Sequence, residues 1–178
     1  MTEYHLHTAH LRESVPLLRA GDRVFLSGTV YTSRDAAHKR IAAALDAGQP
    51  LPYPLRDAVI YYSGSTPAPP GRPIGACGPT TSGRMDAFAP RLYDLGVCAT
   101  IGKGGRSPAV RDAIVRNGAL YLCATGGAGA LAARSVTACR IVAYDDLGCE
   151  AVKQLEIRDF PLIVGIDAGG GSLFSSSI

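Results

Sequence analysis

The 178-residue chain has no tryptophan, two methionines and only three lysines (Lys39, Lys103, Lys153) against fifteen arginines. Its apolar stretches are short, and none reaches the ~18 residues that a membrane-spanning helix needs, so no membrane association is expected. The opening MTEYHLHTAH puts polar and imidazole groups where a secretory leader needs an apolar segment, which points to the cytoplasm. Charged residues make up 19% and nearly balance at +3, too little and too evenly spread for a nucleic-acid partner. The five cysteines (Cys77, Cys98, Cys123, Cys139, Cys149) form no C-x-x-C pair and are odd in number. A disulfide framework is therefore not expected, nor is a zinc or iron–sulfur site built by this chain alone. Most of these thiols read as buried spectators.

What is present is a chain of 47% hydrophobic residues with 21 Gly and 12 Pro in no fixed period. That hydrophobic content excludes disorder. With no internal repeat and no long linker, residues 1–178 are expected to form one domain that buries roughly two-thirds of its surface. Periodicity predicts a helix around Leu11–Arg19, a strand over Asp22–Ser27 ending at Gly28-Thr29, a helix over Arg34–Ala47 and a strand over Ala58–Tyr62. Ser65–Pro73 is too rich in proline for either element. The second half alternates more regularly. Helices are expected over Asp86–Leu95 and Ser107–Asn117, the latter with Ser107 as N-cap, Pro108 in the first turn and Gly118 past the end. Strands are expected over Val97–Ile101 and Leu120–Ala124, then a Gly-rich turn with a short helix and a strand over Ala138–Tyr144. A helix over Asp145–Leu155 and a strand over Leu162–Asp167 complete the pattern. Such alternation predicts an α/β core with parallel pairing, the first part supplying a second, more antiparallel layer.

Four segments carry candidate chemistry. In SGTVYTSRDAAHKR, Arg34, Asp35 and His38 open a helix, and Arg34 and His38 share a face at i, i+4. An arginine is badly placed against a helix N-terminus unless an anion lies there too. In GACGPTTSGRMDAF, hydroxyls of Thr80, Thr81 and Ser82 precede Arg84 and a predicted helix start, a pattern suited to a carboxylate. Lys103 lies in IGKGG at a strand end, a usual place for an anion contact in α/β sheets; a P-loop would need a hydroxyl residue where Gly104 stands. In YLCATGGAGALAA, Gly127, Gly129 and Ala132 match the spacing of a dinucleotide fingerprint, with Asp145 and Asp146 further on. This leaves open an alternative, a dinucleotide or small-ligand-binding module; the other possibility there is a tight turn that needs glycine.

Taken in order, SGTVYTSRDAAHKR, GPTTSGRMD, IGKGG and DFPLIVGID resemble the β subunit of class I (iron–sulfur) fumarate hydratase. The same region forms the C-terminal domain of single-chain class I fumarases and the β subunit of L(+)-tartrate dehydratase. The similarity runs from about Gly21 to Phe174. The resemblance implies a three-layer β/β/α swivelling domain with a parallel central sheet and a second, more antiparallel sheet. It implies a hydro-lyase that interconverts (S)-malate with fumarate plus water at a 4Fe–4S cluster held by cysteines of an α subunit. This chain would then bind no metal itself and would join that α subunit in a hetero-oligomer such as α2β2. By the same resemblance Thr80 is the catalytic base that takes the C3 proton of malate. Arg34, Arg84 and Lys103 hold the dicarboxylate. Asp35 and His38, inside the first motif, are expected behind these contacts, with His38 orienting Asp35 or Arg34 and taking no direct substrate role. L(+)-tartrate is the alternative substrate; GPTTSGRMD followed by IGKGGRS looks more like the fumarase side.

Overall fold

The computed structural model describes residues 1–174. Alternating apolar side chains and helix-period stretches produce, in chain order, β1 (Glu3–His7), α1 (Leu11–Ser14), β2 (Arg23–Thr32), α2 (Asp35–Asp46), β3 (Val59–Tyr61), α3 (Ala89–Asp94), β4 (Ala99–Gly102), α4 (Pro108–Arg116), β5 (Leu120–Cys123), α5 (Gly129–Arg134), β6 (Val136–Ala143) and β7 (Val152–Ile166). Strands β1 to β5 pair in parallel in sequence order. The long β7 runs antiparallel to β5, β6 and also β2, so the pairings close a ring through β2, β3, β4, β5 and β7. The result is a mixed α/β domain with one seven-stranded sheet, partly parallel and partly antiparallel.

Two apolar clusters lie on opposite faces of β3–β5. Val59, Tyr61, Ala99, Ile101, Leu120 and Leu122 join Val24, Leu26, Leu155, Leu162 and Val164 inside the ring. Ile60, Tyr62 and Tyr121 point the other way and pack against Ala37 and Ile41 of α2, Leu92 and Tyr93 of α3, and Val110 and Ile114 of α4. This division follows from the period-two alternation of a strand.

Three expectations are corrected. The Asp145–Leu155 segment is not a helix: a 3-10 turn covers Asp145–Glu150, kinked at Gly148, and β7 begins at Val152. Leu155 and Ile157 alternate inward, and pairing with β2 on one side and β6 on the other outweighs the local helical preference. Second, the first part has no antiparallel pair of its own: β1 and β2 are parallel, and β2 becomes antiparallel only where β7 from the C-terminal part lies beside it. Third, β1 lies ahead of the predicted helix, and β2 continues through Gly28 to Thr32 by a register shift against β7 between Leu26 and Gly28. The helix at Ser107 is as expected, with the Ser107 side chain accepting from Val110 N.

Candidate functional site

The carboxyl ends of parallel strands β2, β3, β4 and β5 open on one edge of the sheet, where ligands of α/β proteins usually bind. From β2 the chain passes through Ser33 to Arg34, which caps α2 with extended backbone and no side-chain cap bond. The Arg34 guanidinium is mostly enclosed, yet its Nε lies 3.8 Å from Asp35 Oδ2 and 3.9 Å from Glu150 Oε1, beyond hydrogen-bond distance. Arg34 Nε and Asp35 Oδ2 are both buried without a hydrogen-bond partner. The other oxygen, Asp35 Oδ1, accepts from Arg84 Nε at 2.9 Å. One carboxylate therefore stands between two guanidiniums that are 50 residues apart in the chain.

Thr80 and Lys103 are joined through backbone. Thr80 N donates to Tyr62 O at 2.8 Å, Lys103 N donates to Thr80 O at 3.3 Å, and Ser82 N donates to Lys103 O at 2.9 Å. The segment thus adds a short extension between the ends of β3 and β4, bridging Ser63 to Pro79 and Thr81 to Lys103. Gly102 permits the approach: a Cβ there would collide with Ser82 Oγ and meet Tyr62 at 3.0 Å. The Thr80 hydroxyl and Lys103 ammonium are half-buried and make no hydrogen bond within the described residues. Arg84 is not at an α-helix start as expected. It lies in a 3-10 turn, Ser82–Met85, and α3 begins only at Ala89, with Pro90 in its first turn. Loop N–H groups, not a helix terminus, accompany Arg84.

The Gly-rich segment after β5 is correctly a turn and short helix but not a dinucleotide site. A Rossmann unit needs the next strand beside β5 and parallel to it; here β6 follows α5 and pairs antiparallel with β7. The glycines serve close packing: Cys77 N donates to Gly129 O at 3.0 Å, and a Cβ on Gly129 would come within 3.1 Å of Gly78 N. Lys103 reaches over this segment, its Nζ 3.7 Å from where a Gly126 Cβ would stand.

His38 is 1% exposed. Its Nδ1 faces Arg34 O at 2.8 Å and Ser33 Oγ at 3.1 Å, so it contacts Arg34 and not Asp35. A carbonyl only accepts, so Nδ1 carries the proton and Nε2, buried without a partner, is the acceptor of a neutral ring. Burial lowers the His38 pKa to about 4, with the nearby Arg106 charge acting in the same direction and the Arg34 carbonyl opposing it.

Arg106 has no role in the sequence-based expectations, yet it ties the site loops together. Its guanidinium is fully enclosed between the rings of Tyr62 and Tyr121. It donates to Asp86 Oδ1 at 2.7 Å, Thr100 Oγ1 at 3.0 Å and Tyr62 OH at 3.3 Å. Asp86 Oδ2 accepts from Ser107 N at 2.6 Å, and Tyr121 OH donates to Gly104 O at 2.8 Å while also meeting Ser82 Oγ. The loop of Arg84 is thereby clipped to the loop of Lys103. The available signal was the lone acid of GRMD, Asp86, against the two cations of GKGGRS, Lys103 and Arg106.

The cysteines differ in exposure and are not grouped with other metal-ligating side chains among the described residues. Cys77 and Cys98 are buried, Cys149 is exposed, and burial pushes the Cys77, Cys98, Cys123 and Cys139 thiols up, that of Cys98 to about 11. Among the described residues no three His, Cys, Asp or Glu side chains are grouped to hold a metal ion.

These features define a mixed α/β domain with guanidinium, ammonium and hydroxyl groups gathered at one strand-end edge. The profile of the Fumarase C-terminus family matches residues 1–177, and the chain belongs to that family. It is 36% identical over 170 residues to "Fumarate hydratase 2" of Leishmania major, covering 94% of this chain and 30% of that protein. It is 39% identical over 158 residues to "Fumarate hydratase class I, anaerobic" of Escherichia coli, covering 88% and 29%. The E. coli "L(+)-tartrate dehydratase subunit beta" is 32% identical over 170 residues, covering 93% of this chain and 83% of that subunit. The chain thus spans under a third of the fumarate hydratases but most of the tartrate dehydratase subunit.

Proposed function

We propose that this chain is the β part of an iron–sulfur hydro-lyase that interconverts (S)-malate with fumarate plus water. The observation that carries this is the set of Arg34, Thr80, Arg84 and Lys103 at one sheet edge, with polar capacity left unmatched at Arg34 Nε and Asp35 Oδ2. A dicarboxylate meets the unmatched donor of Arg34, since guanidinium forks bind carboxylates with two parallel hydrogen bonds, while the Asp35 Oδ2 acceptor is open to a donor such as the malate hydroxyl. Arg34 and Arg84 hold the carboxylates, with Asp35 between them setting their spacing. Lys103 supplies further positive charge. Thr80 takes the C3 proton; a neutral hydroxyl is a weak base, and the cations around it favour its deprotonated form. The same cations stabilise charge that builds next to the carboxylate as the proton leaves. His38 positions Arg34 through its backbone carbonyl.

A cluster held by an α subunit would supply Lewis-acid chemistry at the substrate oxygen; among the described residues of this chain no three ligand side chains are grouped to hold one. A hetero-oligomer such as α2β2 follows, and reduced thiols suit the cytoplasm. The two apolar clusters on opposite faces of β3–β5 support a three-layer β/β/α swivelling architecture for a single domain over 1–178.

In the enzyme assembled with a cluster-bearing α chain, Thr80→Ala and Arg84→Ala are expected to lower kcat about a hundredfold or more with assembly retained. Near-normal turnover in either variant overturns these roles. The 83% coverage of the E. coli tartrate dehydratase subunit favours L(+)-tartrate as the second reading. Steady-state rates on malate and L(+)-tartrate decide between them, and faster tartrate turnover selects the second.

A further inference from the structure

We propose that Lys153 anchors a second pocket, separate from the Arg34–Lys103 cluster, which binds a small monocarboxylate with an apolar body. Lys153 lies on β7 and is 8% exposed. Its Nζ donates to Cys149 O at 3.1 Å, its one hydrogen bond among the described residues, and no carboxylate there lies within 4.0 Å. Its other N–H donors are left for something else. A buried ammonium is costly unless an anion meets it. The other buried cation, Arg106, has Asp86 at 2.7 Å; Lys153 has no such partner.

The space beside Lys153 is a cavity of about 470 Å³ between the Pro-rich loop and the β6–β7 edge. Its walls include Pro67, Pro73, Ile74 and Ile141, with Arg140 at the rim and no acidic residue among the lining. Arg140, the second cation of the lining, is exposed and gives one N–H to the neutral Gln154 Oε1 at 2.7 Å, so Lys153 is the enclosed cation of the pocket. The volume falls in the range of small-molecule sites, roughly 300–1,000 Å³. One enclosed cation beside apolar walls suits one carboxylate on an apolar chain. A dicarboxylate held by Lys153 would press its second charge against Pro67, Ile74 or Ile141, where no enclosed cation compensates it. The pocket therefore selects against the dicarboxylates proposed for the first cluster.

The two sites share a wall. A Cβ at Gly64 would lie 3.1 Å from an Arg34 guanidinium nitrogen and 3.2 Å from Cys149 O, the carbonyl that Lys153 binds. Occupancy of the second pocket thus abuts the backbone behind Arg34.

Hexanoate titrated into the full chain, followed by calorimetry and thermal unfolding, tests this without any partner chain or turnover. Saturable binding with a rise in Tm is expected for the native chain, with hexanol and succinate binding at least about tenfold more weakly. Lys153→Met is expected to weaken hexanoate about tenfold or more. Ile141→Glu, a change at a half-exposed rim position that places an internal carboxylate by Lys153, is expected to do the same and decides the matter if Lys153→Met does not fold. Lys103→Ala, which alters only the first cluster, leaves hexanoate binding unchanged. Absence of saturable binding, equal hexanoate binding by native chain and Ile141→Glu, or loss of binding in Lys103→Ala overturns the proposal.

Discussion

At the scale of single residues, His38 shows how position changes chemistry. An imidazole free in solution takes a proton near pH 6.5, but enclosure against Tyr62 and Phe88 lowers that to about 4. Between these values the unfolded chain binds the proton and the native chain does not, so native stability falls as pH drops from 6.5 towards 4 and is fully retained above 6.5. The contribution of this one group over that window is roughly 3 kcal/mol. Urea unfolding at pH 7 and pH 4.5 is expected to show a smaller pH loss for His38→Gln than for the native chain; an identical loss in both contradicts a buried, neutral His38. The ring's place was partly legible in sequence, since spacing puts His38 one turn from Arg34. Of the two partners expected, Arg34 is met through its backbone carbonyl and Asp35 is not, while the Ser33 hydroxyl was not foreseen. Side-chain partners depend on rotamers that packing chooses.

At the scale of elements, the site depends on loops held by groups from outside them. The Gly78–Arg84 segment gains order from Tyr62 O and from Lys103, neither of which is near it in sequence. Arg106 and Asp86 hold the following loop to it from a fully enclosed position. Arg106→Met leaves Asp86 without its partner and is expected to cost about 3 kcal/mol in urea unfolding. Combining it with Asp86→Asn is expected to cost less than the two single changes added together, because no buried charge is then left alone. Strict additivity would show that the two side chains act independently. Helices α2 and α4 were legible because each carries its own signals: apolar spacing in one, Ser107-Pro108 and Gly118 in the other. The long strand β7 was not legible. Its stretch Val152–Leu155 becomes strand only because β2 and β6 offer ladders on both sides.

At the scale of the whole molecule, the parallel strands set four loops on one edge, and the antiparallel β7 closes the ring behind them. That edge gathers cations and a hydroxyl, and among the described residues no three His, Cys, Asp or Glu side chains are grouped to hold a metal ion. The isolated chain, incubated anaerobically with iron and sulfide, is expected to acquire no cluster absorbance, while the assembled enzyme acquires it. A stable cluster on the isolated chain would move the metal ligands onto this protein. No helix among the described residues is long and apolar enough to cross a membrane.

Composition and local pattern by themselves determined the α/β alternation, the lack of a cysteine set and the four motifs around Arg34, Thr80, Lys103 and Gly127, because these depend on residue type and short spacing. Tertiary structure alone decided that β7 is one long strand closing the ring, that the Gly127 turn packs on Gly78, and that Arg106 meets Asp86. It alone also decided that Lys153 is enclosed with no carboxylate within 4.0 Å among the described residues. Each of these depends on which distant segment arrives alongside. Strand pairing and burial of charge are set by contacts across the fold, so their energies are absent from any short stretch of the chain.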